Sequence, residues 1–300
     1  MRKVVIGTHD EGLKRLKTTD VDEPQTVGSK EIKVRVHASS LNYHDLSVAN
    51  GTIPTAQNRV PLSDCSGIIT QVGEDVDEFK EGDHVVSTFF PDWLNGEPRC
   101  SDFSRTPGDG LDGYATEYVV RPATWFTKAP QGWSHAEAAT ITTAGLTAWR
   151  ALVVEGKLKA GDKVLLLGAD FTVNYKAEPE WGSAVNAWSG EKGVDHVVEV
   201  GGPATLAQSI NACRVNGNIV LIGVLTGVKG DVPTAALMAK QINLKGIIVG
   251  SREHQNDFVN ALEASGIKPV IETSFSLDEL AKAFEYEVNG KHFGKICIDI

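Results

Sequence analysis

Cysteine, histidine and glycine are the residues whose placement in this chain speaks to chemistry. The four cysteines stand at 65, 100, 213 and 297, with no pair at CxxC spacing. Zinc knuckles and redox dithiols need close pairs, so these thiols read as idle. His37, His44 and His84 are the next metal candidates, but their spacings match no common ligand set. The glycines say more. The apolar runs KVLLLG, VDHVVEV, NIVLIGV and LKGIIVG lead to Gly168, to Gly201 and Gly202, to Gly223, and to Val249 and Ser251. The carboxyl ends of parallel strands are where doubly wound sheets bind ligands, although each glycine alone could simply end a strand. A strand that enters a glycine-rich turn and then a helix presents a helix N-terminus that can take a pyrophosphate. Here Gly168 runs directly into Ala169 and Asp170.

These residues need elements to carry them. The first 120 residues read as short strands, EIKVRVHASS, CSGIITQVGEDV, GDHVVSTFF and GYATEYVVRP, bounded by turn formers. Residues 91–113 are dense in Gly, Pro and Asp and read as an exposed loop, with Phe90, Trp93 and Phe103 as pocket-lining or packing residues. Ser134 followed by Glu137 is a capping box opening a long helix. From Asp162 onward strand and helix alternate: KVLLLG, ADFTVNY, VDHVVEV, NIVLIGV and LKGIIVG are strands, with helices between them, one starting at Pro203. The predicted fold class is therefore α/β, a β-rich domain over 1–122 followed by a doubly wound parallel sheet over 123–265. Residues 266–300 return to the first domain.

With 300 residues and 41% hydrophobic content, two cores can be filled. The net charge of -10 argues against a non-specific nucleic-acid partner. No apolar run is long enough to span a membrane, and MRKVVIG leads into charged residues without a signal-peptide core, which predicts a cytoplasmic protein.

Several segments, in order, resemble the medium-chain dehydrogenase/reductase family: LNYHDL, PLSDCSGIITQVG, EGDHV, DGYATEYVV, AATITTAGLTAWRAL, LKAGDKVLLLG, VDHVVEVGG, GNIVLIGV and HFGKICIDI. The resemblance implies a GroES-like catalytic domain, a Rossmann domain, hydride exchange between NADP or NAD and a small carbonyl, enone, quinone or alcohol, and a homodimer formed through an edge strand such as LKGIIVG. Zinc-using members place Cys where this chain has Asn42 and a His-Glu pair where it has Ser63 and Asp64, and no set of four cysteines lies in 91–113. The chain thus looks like the zinc-free branch, with no metal. By family position Asn42, Tyr43, His44 and Asp45 line the catalytic cleft, with Tyr43 or His44 as a hydrogen-bond or proton donor. Thr147 lies against the nicotinamide, unless it only bonds its own helix backbone. Tyr175 matches a position near the adenosine 2'-phosphate, favouring NADP, and Gly168, Gly201, Gly223, Val249 and Ser251 complete the cofactor set. Relatives carry about 35 more residues after Gly168, enough for one βα crossover and its turn. A spliced product or an engineered deletion would each leave this junction, as would an unread stretch of a longer chain. A non-catalytic relative acting as a subunit or binding partner is the alternative function.

Overall fold

The computed structural model describes residues 1–7, 12–166 and 171–300. Gly168 and its junction with Ala169 lie outside them. The chain forms two units, Met1–Leu146 with Val249–Ile300, and Thr147–Ile248.

The first unit opens with a hairpin, β1 (Arg2–Ile6) and β2 (Leu16–Asp20), which sequence reasoning had not picked out. Next come β3 (Glu31–Ser40), the short helix α1 (Tyr43–Ala49), and strands β4 (Ser66–Val72), β5 (His84–Ser87), β6 (Tyr118–Pro122) and β7 (Phe126–Lys128). Alternation along β3 buries Ile32, Val34, Val36 and Ala38, as a half-buried strand requires. Helix α2 (His135–Ala139) begins at the expected capping box: Glu137 N donates to Ser134 Oγ at 3.2 Å, and Ser134 N donates to Glu137 Oε2 at 2.8 Å. The helical path continues through wide π-type turns, Ile141–Gly145 and Arg150–Glu155, on either side of α3 (Leu146–Trp149).

The second unit holds β8 (Val164–Leu165), α4 (Trp181–Trp188), β9 (Val194–Glu199), α5 (Pro203–Ala212), β10 (Cys213–Leu221), α6 (Thr234–Ala239) and β11 (Asn243–Gly246). The chain then returns to the first unit with α7 (Arg252–Ser265), β12 (Ile271–Ser276), α8 (Leu280–Val288) and β13 (Lys295–Asp299).

One sheet organises the first unit, in the order β12-β13-β3-β4-β5-β7, with β6 also on β3. β3 is its pivot. Residues 31–35 pair with β6, while Ser40, Ser39 and Ala38 pair with Cys297, Ile298 and Asp299 of the final strand. The unit boundaries differ from those expected from the sequence, because 123–146 and 249–265 belong here rather than with the cofactor domain. The reason is packing: Ala138, Ile141, Val259 and Leu262 share one core with Val86 of β5. Gln255, fully buried, also donates to Ser87 O and Thr127 Oγ1 on the sheet.

The second unit is a four-stranded parallel sheet in the order β11-β10-β9-β8. Helices α4, α5 and α6 cover one face, through Trp181, Val185, Leu206, Ile210 and Leu237 against Val197 and Ile219. Ala151 of the helical path meets Val220 and Ile247 on the other. The expected strand ADFTVNY does not form among the described residues: 171–175 is irregular. Extended chain becomes a strand only where a ladder partner exists, and the sequence offers no strand to stand between this segment and β8. Among the described residues the strand order is therefore sequential, without the reversal of winding that makes the usual ligand crevice of such sheets.

Candidate active site

The polar cluster of the first unit gathers where β3 ends and α1 begins. Asn42 precedes α1 in extended conformation and is only 8% exposed. Its Nδ2 has three acceptors within reach, Asp64 Oδ2 at 2.9 Å, Asp45 Oδ2 at 3.1 Å and Ser40 O at 3.3 Å, while its Oδ1 accepts from Lys295 Nζ at 2.7 Å. Lys295, from the opposite end of the chain, also donates to Leu41 O. Asp64 is fully buried and accepts from Ser40 Oγ at 2.6 Å and Thr143 Oγ1 at 2.5 Å. Burial pushes its carboxyl up to about 6, although Lys295, Asn42 and Ser40 pull the other way. Asp45 is also buried. Its Oδ1 accepts from Ser63 N at 2.9 Å, and its Oδ2 from Asn42 N at 3.0 Å, so the carboxylate is occupied in tying α1 to the strand before β4.

His44 sits beside this cluster. Its Nε2 lies 3.0 Å from Asp109 Oδ2, and its Nδ1 lies 3.8 Å from Asp45 Oδ1, beyond hydrogen-bond range. Phe89 packs edge-on against the ring. Burial disfavours the charged ring, but Asp109 and Asp45 outweigh it and raise the His44 pKa to about 10. Tyr43, its neighbour, is 59% exposed. The four expected catalytic positions are thus brought together, with distinct parts: Asn42 and Asp45 form scaffold, His44 carries charge, and Tyr43 faces outward. Phe90 and Trp93 are buried and meet Phe103 through tilted and edge-on ring contacts, which makes them packing residues. Asp109, Lys295 and Thr143 were not singled out from sequence. Asp109 lies in a Pro-Gly-Asp-Gly stretch whose composition signals a turn, and Lys295 is the polar start of an apolar strand.

The expected cofactor residues fall into two groups. Val249 and Ser251 belong to the first unit, both buried. Val249 has φ of 43°, unusual for a β-branched residue. Ser251 caps α7, its Oγ accepting from His254 N at 3.2 Å. Thr147, Tyr175, Gly201 and Gly223 belong to the second. Thr147 is half-buried in α3. Gly201 and Gly223 lie at the carboxyl ends of β9 and β10. A Cβ on Gly201 would meet the Thr205 side chain at 2.3 Å, and one on Gly223 would meet Val200 O at 2.7 Å, so packing within the unit already requires both glycines. Tyr175 lines an apolar cavity of about 200 Å³ with Leu165, Leu166, Phe171, Trp181 and Val200. At its edge the buried Glu199 accepts from Gly201 N at 2.7 Å, Gly202 N at 2.9 Å, Thr205 Oγ1 at 2.7 Å, and also from Ser209 Oγ. The backbone donors leading into α5, a natural anion site, are therefore taken by a carboxylate of the chain itself.

Residues 28–131 match the alcohol dehydrogenase GroES-like domain, and 138–266 match the zinc-binding dehydrogenase domain. A zinc-type alcohol dehydrogenase-like protein of Schizosaccharomyces pombe is 34% identical over 339 residues, covering 97% of this chain and 98% of the relative. The chain is a medium-chain dehydrogenase/reductase. Among solved structures, a putative alcohol dehydrogenase from Sinorhizobium meliloti superposes on this medium-chain dehydrogenase/reductase with a TM-score of 0.91 at 34% identity, covering 100% of this chain and 98% of the other. An NAD-dependent alcohol dehydrogenase does so with a TM-score of 0.88 at 28% identity over the full length of both chains. The alignment to the S. pombe relative is 339 positions long against 300 residues here, so at least 39 of its positions have no counterpart in this family member.

Proposed function

We propose that this chain is a zinc-independent oxidoreductase that transfers hydride between NADP, or NAD, and a small carbonyl, enone, quinone or alcohol. The donor set at 42, 63 and 64 carries this reading. Zinc favours thiolate and imidazole, with three protein ligands and an open position. Here an amide, a hydroxyl and a carboxylate stand instead, and the carboxylate is committed to Ser40, Asn42 and Thr143. These residues do not fit a catalytic zinc. When bound, a reduced nicotinamide supplies the hydride. The chain's own part is to present the carbonyl oxygen with a donor, and the charged His44 ring is suited to that task. Tyr43, exposed one residue earlier, suits the substrate side of the site. Asn42, Asp45 and Asp64 hold the start of α1 in place. For the cofactor, Thr147, Tyr175, Gly201 and Gly223 are proposed within the second unit and Val249 and Ser251 within the first; Gly168 is proposed from the sequence alone.

A spectrophotometric NADPH assay over quinones, enones and aldehydes, with and without chelator, tests the proposal. Turnover unaffected by chelation is expected. Loss of activity on chelation would overturn the metal-free assignment.

A second reading has its own support. The glycine-rich turn is missing from the sequence, and Glu199 occupies the backbone donors before α5, so the second unit fits a ring better than a pyrophosphate. On that reading the chain is a non-catalytic family member acting as a subunit or binding partner. Calorimetric titration with NADPH and NADH separates the two: sub-millimolar binding rejects the second reading, and its absence rejects the first.

A further inference from the structure

We propose that Asp109 is a positioning residue for His44, holding the ring so that its Nδ1–H is left free to donate to the carbonyl oxygen of the substrate. This deepens the oxidoreductase reading above and rests on it.

The geometry of the ring carries the argument. One edge is tied, Nε2 to Asp109 Oδ2 at 3.0 Å. The other edge is buried and has no hydrogen-bond partner. The nearest carboxylate oxygen, Asp45 Oδ1, is 3.8 Å away and already accepts from Ser63 N at 2.9 Å. Asp45 Oδ2 is likewise engaged, by the Asn42 backbone and side chain. A buried ring nitrogen with nothing to bond is uncommon in native proteins, and a ligand oxygen would satisfy it. Asp109 fixes which nitrogen that is. With Nε2–H committed to Asp109, Nδ1–H is the ring proton without a hydrogen-bond partner in the structure and so the one left to donate.

Asp109 is itself held firmly for a loop residue. Its carbonyl accepts from Thr55 Oγ1 at 3.0 Å, and its side chain accepts from Gly110 N. The turn around it closes through Gly108 N to Leu111 O at 2.9 Å and Gly110 N to Thr106 O at 2.9 Å. A Cβ at Gly110 would lie 2.5 Å from Ser104 O, so the turn needs glycine there. Phe89 against the ring restricts its rotation. A carbonyl reduced here would receive hydride from a bound reduced nicotinamide, and its C=O π pair would take the Nδ1 proton as a new O–H bond. The ring is left neutral and still donates Nε2–H to Asp109. Oxidation of an alcohol runs the same transfer in reverse.

The test has two arms on the full chain. In the first, histidine is labelled with ¹⁵N and His44→Gln identifies the His44 signals. At pH 7.5 the wild type should show both ring nitrogens protonated, Asp109→Asn should lose that signature, and acetamide, a carbonyl probe, should shift Nδ1 and not Nε2. A His44 ring that is neutral in the wild type, or unchanged by Asp109→Asn, overturns the proposal, as does acetamide with no effect on Nδ1. In the second arm, His44→Gln should lower kcat for NADPH-dependent reduction by about 100-fold and Asp109→Asn by about 10-fold, with KM within twofold. Asp109→Glu should restore part of the loss. Equal kcat in wild type and Asp109→Asn also overturns it. If the wild type shows no turnover, the oxidoreductase reading fails while the spectroscopic arm still decides the His44–Asp109 relation.

Discussion

His37, His84 and His135 come from β3, β5 and the first turn of α2, and stack face to face with ring centroids 4.5 and 4.9 Å apart. His135 Nδ1 also lies 3.0 Å from Ser66 Oγ on β4. Three imidazoles in contact tolerate one another when neutral and repel when charged. Burial, then His37 and His84, lowers the His135 pKa to about 4, and burial and Arg35 lower that of His37. The unfolded chain therefore binds more protons than the folded one between the ordinary histidine value and about 4. Stability from this stack is fully present above pH about 6.5 and is lost as pH falls toward 4. Urea midpoints measured from pH 7.5 to 4.5 should fall, and His135→Asn should flatten that slope. An equal slope in the variant would assign the acid sensitivity elsewhere. The same residue scale explains why the stack escaped the sequence. His37 and His84 were weighed together with His44, but only β3–β4–β5 pairing and the docking of α2 show that His135, and not His44, joins them.

At the scale of elements, α7 shows one residue answering two expectations. Its place after the strand LKGII makes Ser251 an expected cofactor residue, while the structure uses its hydroxyl as the helix cap and buries it. Ser251→Ala should destabilise the first unit by about 1 kcal/mol in urea unfolding, the usual loss of a helix cap. If calorimetry shows unchanged NADPH affinity in that variant, the cap is its whole role. The capping boxes at Ser134 and Pro203 at the start of α5 were legible, because a cap depends on residues within one turn of each other. The strand expected over ADFTVNY does not form in its described part, 171–175, for the opposite reason. Its alternation is genuine, but a strand exists only against a partner, and none is supplied.

At the scale of the molecule, the parallel sheet ends at β11, which pairs on one side with β10. Exposed apolar side chains lie near it, Met238 at 76% and Ile248 at 61%. Edge strands of this kind continue into a second sheet when two copies meet about a twofold axis. Size-exclusion chromatography with light scattering should give twice the monomer mass, and a monomer at micromolar concentration would refute the dimer. No helix among the described residues is long and apolar enough to cross a membrane.

What the sequence determined by itself was local or ordered along the chain: alternation in β3, the cap at Ser134, the succession of family segments, and the absence of the turn after Gly168. These depend on neighbours a few residues apart, or on motif order, and survive without knowledge of the fold. Tertiary structure alone decided that Lys295 meets Asn42 from 253 positions away and that Asp109 meets His44 from 65 positions away. It also decided that 123–146 and 249–265 pack with the first unit. The physical reason is that each of these depends on which apolar faces bury one another, and burial is indifferent to distance along the chain.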